Sequence, residues 1–248
     1  MVGAVLLGEV GILCHLAVRR DYRKLGLGSA LSSWSVSYLR SRGAKVVRLD
    51  STRGAKRLYE SLGFKSVSRR SVYRMEGGIL TARLRGSCSV DEQAARPRGL
   101  RVTPLPFSDL PDLPDLYGVD RWSFGEDRSA LIRATLNLHP GWGLITRDAS
   151  GLINGYLVRS AYYGSTVRIG PLMASSPDVA RVLLAHALQT DGGRSVEVSV
   201  PGSVESPAHG VLLESGFVGW RDRLRMELGE APRPGGLEAY GTTPYLAT

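Results

Sequence analysis

Two apolar runs, Val2–Leu7 and Ile12–Val18, open the chain on either side of Gly8-Glu9-Val10-Gly11, a spacing that predicts a β-hairpin. A basic, glycine-bearing stretch follows, Arg19-Arg20-Asp21-Tyr22-Arg23-Lys24-Leu25-Gly26-Leu27-Gly28-Ser29. From Gly28 to about Arg42 apolar residues recur at Leu31, Trp34, Val36, Tyr38 and Leu39, the pattern of an amphipathic helix closed by Gly43. The pattern then predicts a strand at Lys45–Leu49, a helix over Arg53–Leu62 stopped by Gly63, and two short strands at Phe64–Val67 and Ser71–Met75.

Between Gly77 and Arg98 the periodicity is lost in favour of glycine, arginine and serine, which reads as a linker over 78–98. A second series follows: a strand at Leu100–Thr103, helices at Leu110–Tyr117 and Glu126–Leu138, and strands at Trp142–Thr146, Leu152–Val158 and Thr166–Met173. It continues with a helix at Pro177–Gln189, a strand at Ser195–Val200, a helix at Pro207–Ser215 and two strands from Phe217 to Leu228. Leu58-Tyr59-Glu60-Ser61-Leu62-Gly63-Phe64 matches Val211-Leu212-Leu213-Glu214-Ser215-Gly216-Phe217, and Arg74-Met75-Glu76 matches Arg225-Met226-Glu227, about 150 residues apart. The chain reads as a duplicated α/β unit with mixed sheets: a first domain at 1–77, a second at 99–229 and a tail at 230–248.

The stretch before the first helix carries the candidate chemistry. Glycines at 26 and 28 let an anion approach main-chain N–H groups at a helix N-terminus, and Arg23 and Lys24 add full charges. Each charge-assisted hydrogen bond there is worth about 1.5–3 kcal/mol, so a few of them hold a pyrophosphate. With Ala55, Tyr59, Gly63 and Phe64 downstream, this stretch resembles the GNAT superfamily of N-acetyltransferases. The R/Q-x-x-G-x-G/A signature is met by Arg23, Gly26 and Gly28, and the later A-x-x-x-Y-x-x-x-G-F element by Ala55 to Phe64.

The resemblance implies an acyltransferase using acetyl-CoA, without a metal, and an amine acceptor that no residue identifies. Arg23, Lys24, Leu25, Gly26, Leu27, Gly28 and Ser29 would bind the pyrophosphate, and main chain at Leu16, Ala17 and Val18 the pantetheine arm. Tyr59 would be the acid that protonates the departing thiolate. Candidates for a general base are Glu9 and Asp50, each as readable as a turn or surface ion-pair residue, and Cys14 is a candidate acyl carrier. Thr52 stands where the family often has asparagine. The second copy has Ala174-Ser175-Ser176-Pro177-Asp178 in place of the cradle and Leu212 in place of Tyr59. It resembles a YitH/HolE-type acetyltransferase-like C-terminal domain that has lost the cofactor.

The first copy lacks the family's leading strand and helices, which predicts an open edge at Val2–Leu7. An upstream start, cover by the second half, or a homodimer paired edge to edge would each account for it. The abrupt entry of Met1-Val2-Gly3 into a strand favours the first.

Composition alters this picture little. A 248-residue chain with 43% hydrophobic residues fills two ordinary cores, and no stretch reads as a membrane span or signal peptide. Two cysteines and four scattered histidines give neither a zinc pattern nor a disulfide framework, which makes a reducing cytoplasm the default. The net charge of +9 suits anionic ligands in general. The arginines are spread along the chain rather than gathered with aromatics, which argues against nucleic acid. Two readings compete with the enzyme: an acyl-CoA-binding protein without turnover, and a basic nucleic-acid module.

Overall fold

The computed structural model describes residues 1–77, 100–105, 114–162, 164–190, 193–202, 205–230 and 235–242. The expected linker and Cys88 lie outside these residues. The first half runs β1 (Gly3–Leu7), β2 (Val10–Cys14), α1 (Leu27–Ser41), β3 (Val46–Ser51), α2 (Lys56–Glu60) and β4 (Lys65–Met75). The second half begins with β5 (Arg101–Pro104), α3 (Pro114–Phe124), α4 (Ser129–Leu138), β6 (Gly143–Arg147), β7 (Ile153–Ala161) and β8 (Thr166–Ala174). It ends with α5 (Pro177–Thr190), β9 (Ser195–Pro201), α6 (Pro207–Glu214), β10 (Val218–Leu228) and β11 (Glu238–Gly241).

Three expectations are corrected. The second apolar run stops as a strand at Cys14, because His15 takes a left-handed φ of 52° and turns the backbone. The helix over Arg53–Leu62 divides into a 3-10 turn at Arg53–Ala55 and a five-residue α-helix. The paired terminal strands expected in each half are single eleven-residue strands, β4 and β10.

Those two strands join the halves. The sheet runs β1-β2-β3-β10-β4-β9-β8-β7-β6-β5, so the last strand of the second half lies between β3 and β4, and β4 pairs with β9. β4 and β10 are antiparallel, from Val218↔Arg74 to Glu227↔Lys65. Each half thus lends its long strand to the other, and a single mixed sheet results. The repeated sequence folds the same way at each copy. Gly63 at φ 88° and Gly216 at φ 90° end α2 and α6, and the Phe64 and Phe217 N–H groups both donate at 3.0 Å to the carbonyl five residues back.

Strand alternation sorts the sheet into two faces. On one, Leu13, Leu49, Tyr59, Phe64 and Met226 pack with α1 and α2, while Met75, Val198, Leu183 and Phe217 form the neighbouring core beneath α5 and α6. On the other, Phe124 of α3 and Leu131 of α4 cover Leu7, Val10, Ile12 and Val46, and the same helices pack on Tyr156, Val158 and Met173 of the second half. The second half therefore covers a face of the first. β1 remains the terminal strand of the sheet, paired with β2 alone.

Between the two helix-covered areas of that second face lies a charged stripe: Arg48 and Asp50 of β3, Arg221, Arg223, Arg225 and Glu227 of β10, Arg70 and Arg74 of β4, Glu197 of β9 and Arg168 of β8. Arg48 bonds Glu126 and Glu227 there, both largely buried.

Candidate active site

The parallel ladder of β2 and β3 holds for three pairs, Val10↔Val46 to Ile12↔Arg48, and then the strands part. The His15 kink carries β2 away, leaving Leu13–Leu16 facing Leu49–Thr52 across a wedge. A cavity of ≈ 380 Å³ occupies it and continues across the sheet to Arg70, Glu197, Arg168, Arg221, Arg223 and Tyr162. Because Leu13 and Leu49 belong to the helix-covered face and Asp50 and Arg70 to the charged one, the wedge is a passage through the sheet.

Tyr59 lines this passage from α2. Its ring is 6% exposed and meets Phe64 edge-on at 5.8 Å, so it packs as a core residue while its hydroxyl has no hydrogen-bond partner among the described residues. Burial pushes the phenol above its ordinary value and keeps it protonated.

The cradle stands beside the same helix. Lys24 and Gly26 are left-handed, at φ 66° and 76°, and a Cβ at Gly26 would meet nothing within 4 Å. The first intrahelical bond runs from the Ala30 N–H to the Gly26 carbonyl at 3.0 Å, so the N–H groups of Leu27, Gly28 and Ser29 precede the ladder, and no side chain caps them. A Cβ at Gly28 would lie 3.6 Å from Leu58, the residue before Tyr59, which places the start of α1 against α2. Arg23, Lys24 and Leu25 are exposed, and the Arg23 Nε donates to the Val18 carbonyl at 3.0 Å. The donors and charges fit a diphosphate.

Of the three main-chain positions expected to meet pantetheine, only Leu16 lines the cavity. Ala17 is spent: its N–H donates to the Met1 carbonyl at 2.9 Å and its carbonyl accepts from the Met1 ammonium at 2.8 Å. The Val18 carbonyl is taken by Arg23.

Neither candidate base is poised. Glu9 sits in the hairpin turn, 2.6 Å from the exposed Lys45 ammonium, away from the cavity. Asp50 reaches the cavity, but Arg70 and Arg225 both bond it, Arg225 Nε at 2.7 Å, and against the opposing effect of burial they lower its pKa to about 2. Such a carboxylate accepts protons poorly near neutrality. Cys14 is half-buried, and burial raises its thiol pKa, which opposes a nucleophilic role. Among the described residues no group of three or more His, Cys, Asp or Glu is placed to hold a metal ion, and no helix is long and apolar enough to cross a membrane.

The second half repeats the wedge in altered form. β8 and β9 pair in parallel from Thr166↔Ser195 to Ile169↔Val198 and then separate. There β11 fills the gap, antiparallel to β8 at Glu238↔Ala174 and Gly241↔Leu172, with the Thr242 N–H donating to the Ser199 carbonyl at 2.8 Å. Tyr240 is 1% exposed in the core beneath. Part of the expected C-terminal tail is therefore a structural strand. Asp178, at the second copy's cradle position, pairs with Arg181 at 2.7 Å.

Two family profiles, each described as an acetyltransferase (GNAT) domain, match the chain at residues 1–66 and 117–241. The chain belongs to the GNAT acetyltransferases. It is an acyltransferase with two GNAT domains in tandem, a family that uses acetyl-CoA as co-substrate. Similar solved structures include a candidate acetyltransferase from Pyrococcus horikoshii, 20% identical with a TM-score of 0.74, over 100% of this chain and 75% of that one. A GCN5-related N-acetyltransferase from Sphaerobacter thermophilus is 19% identical with a TM-score of 0.60, over 94% and 75%. A tandem GNAT protein from the clavulanic acid biosynthesis pathway is 15% identical with a TM-score of 0.56, over 91% and 77%. At these identities the likeness is one of fold. No curated protein matches the chain.

The arginines lining the cavity were not singled out in the sequence. A signal was present: Arg221, Arg223 and Arg225 alternate along one strand, which puts three guanidiniums on one face. Their convergence with Arg70 and Arg168 follows from the strand exchange and is invisible to local pattern.

Proposed function

We propose that this GNAT enzyme transfers an acetyl group from acetyl-CoA to an amine by direct attack, using the first half's wedge and cradle. The observation that carries the reading is the passage between β2 and β3, opening beside Tyr59 with the uncapped start of α1 against the same helix. Leu27, Gly28 and Ser29 would bind the diphosphate through main chain, with Arg23 and Lys24 beside them, and Leu16 would contact the pantetheine arm. The thioester supplies the acyl group. As the amine nitrogen bonds to the carbonyl carbon and the carbon–sulfur bond breaks, the Tyr59 hydroxyl donates its proton to the sulfur and then regains one from solvent. Asp50 is held by arginines, so the attacking amine loses its proton to solvent.

In the second half β11 takes the place that a pantetheine arm would need, and Asp178 opposes a diphosphate. We assign that half a supporting role without cofactor, in keeping with a degenerate domain; the domain limits 1–77 and 99–229 remain part of this reading. Titration calorimetry with acetyl-CoA tests it. One equivalent should bind, and a variant carrying Arg23→Ala with Gly26→Glu should bind none. Two equivalents would sink the assignment of the second half, and none in the folded parent would sink the whole reading.

A second reading, acyl-CoA binding without turnover, is favoured by one feature: both carboxylates lining the cavity, Asp50 and Glu197, are engaged by arginines. Thiol release from acetyl-CoA with any member of an amine panel would rule it out.

A further inference from the structure

The charged end of the cavity has more cations than its carboxylates neutralise. Arg70, Arg168, Arg221 and Arg223 line it beside Asp50 and Glu197. Asp50 is taken by Arg70 and by Arg225 beneath it. Glu197 is shared among three guanidiniums at some distance: Arg221 at 3.3 Å, Arg168 at 3.6 Å and Arg74 at 3.9 Å. Arg223 makes no close ion pair among the described residues, feeling Asp50 only at longer range, and its NH1 donates to the Asp222 carbonyl at 3.1 Å.

The guanidinium planes are held by rings, which position a cation without neutralising it. Arg168 stacks 3.3 Å from the Tyr162 ring centre and Arg221 4.0 Å from that of Trp220. Burial also disfavours the charged forms of Arg168 and Arg223, and the shared carboxylates Glu197 and Asp50 offset it only in part. These groups come from β8 and β10, across the passage from α1 and its diphosphate cradle, so a second anion is called for there.

We propose that the acceptor amine carries an anionic group, a carboxylate or a phosphate, which seats against Arg223 and Arg221 with Arg168 behind them. This rests on the acyl-transfer reading: the amine then points through the wedge toward Tyr59, while its acidic end is held by strands of the exchanged pair. Guanidinium forks match the planar oxygens of a carboxylate and the triad of a phosphate, and the low-dielectric setting strengthens the pairing. The second half is thereby given a binding role, supplying the acceptor's counter-charge.

The test uses the full chain saturated with CoA and two pairs of amines that differ in an anionic group, β-alanine against propylamine and phosphoethanolamine against ethanolamine, titrated by calorimetry and assayed for thiol release with acetyl-CoA. The acidic member of at least one pair should bind roughly 10–100-fold more tightly, the span expected of one charge-assisted hydrogen bond. Which pair discriminates tells carboxylate from phosphate. Arg223→Ala should abolish the difference while leaving acetyl-CoA affinity intact, and Arg147→Ala, on the exposed end of β6, should change neither. Equal binding within both pairs, including no detectable binding of any member, overturns the proposal. So does discrimination that survives Arg223→Ala, or an Arg223→Ala effect on acetyl-CoA instead. Discrimination without acetyl-CoA binding would leave the anion site standing and remove the acyl-transfer reading; turnover of neutral amines in preference would do the reverse.

Discussion

Tyr59 and Asp50 both border the passage through the sheet, and their surroundings set them opposite tasks. Tyr59 is kept protonated by burial, so removing its hydroxyl should cost about 10²–10⁴-fold in kcat if it transfers the proton. Tyr59→Phe, assayed by thiol release, should show that loss with little change in the KM for acetyl-CoA. With no free carboxylate at the wedge among the described residues, kcat/KM should climb with pH until the acceptor amine is deprotonated, and the limb should follow the amine's own pKa when acceptors are exchanged. Asp50 instead ties β3 to β4 and β10. Its pKa, about 2 against an ordinary 3.8, stabilises the folded state by about 2 kcal/mol above roughly pH 4, and this is lost as the pH falls toward 2. Asp50→Asn should destabilise by about 3–5 kcal/mol, by leaving Arg70 and Arg225 without their carboxylate, and should flatten denaturation midpoints between pH 4 and 2. Tyr59 and the glycines of the cradle were legible because they lie in short motifs. The partners of Asp50 were not, being 20 and 175 residues away along the chain.

At the level of elements, hydrophobic periodicity placed nearly every strand and helix, because it reports which positions are buried. It is silent on which strands are neighbours. The pattern at Phe64–Met75 was compatible with two short strands, yet continuous pairing on both edges, with β10 and β9, keeps β4 unbroken. Likewise the short tail segment Glu238–Gly241 has no strong strand signature, and only the unpaired edges of β8 and β9 make it one. Ending the chain at residue 230 should remove Tyr240 from the core and cost at least about 3 kcal/mol, read as a lower melting temperature. Acetyl-CoA stoichiometry should stay at one, since Pro177 and Asp178 still stand where the second cradle would be. A rise to two would show that β11, rather than the altered cradle, excludes the ligand.

For the molecule as a whole, the exchange of β4 and β10 means that neither half has a finished sheet of its own. Fragments 1–77 and 100–248 should each lack cooperative thermal unfolding when expressed separately, and mixing them should restore it along with acetyl-CoA binding. Folding of the fragments apart would contradict the paired exchange. The tandem arrangement was legible from the repeat of Leu58–Phe64 at Val211–Phe217, but a repeat predicts two like units without saying whether they are separate. The exchange also has a consequence in time. β4 is complete at residue 75, and the strand that must slide in beside it ends at residue 228. At about 5–20 residues per second, roughly 8–30 s of synthesis separate the two. Through that interval the nascent first half carries the facing edges of β3 and β4 unpaired, and its sheet is finished only when β10 emerges.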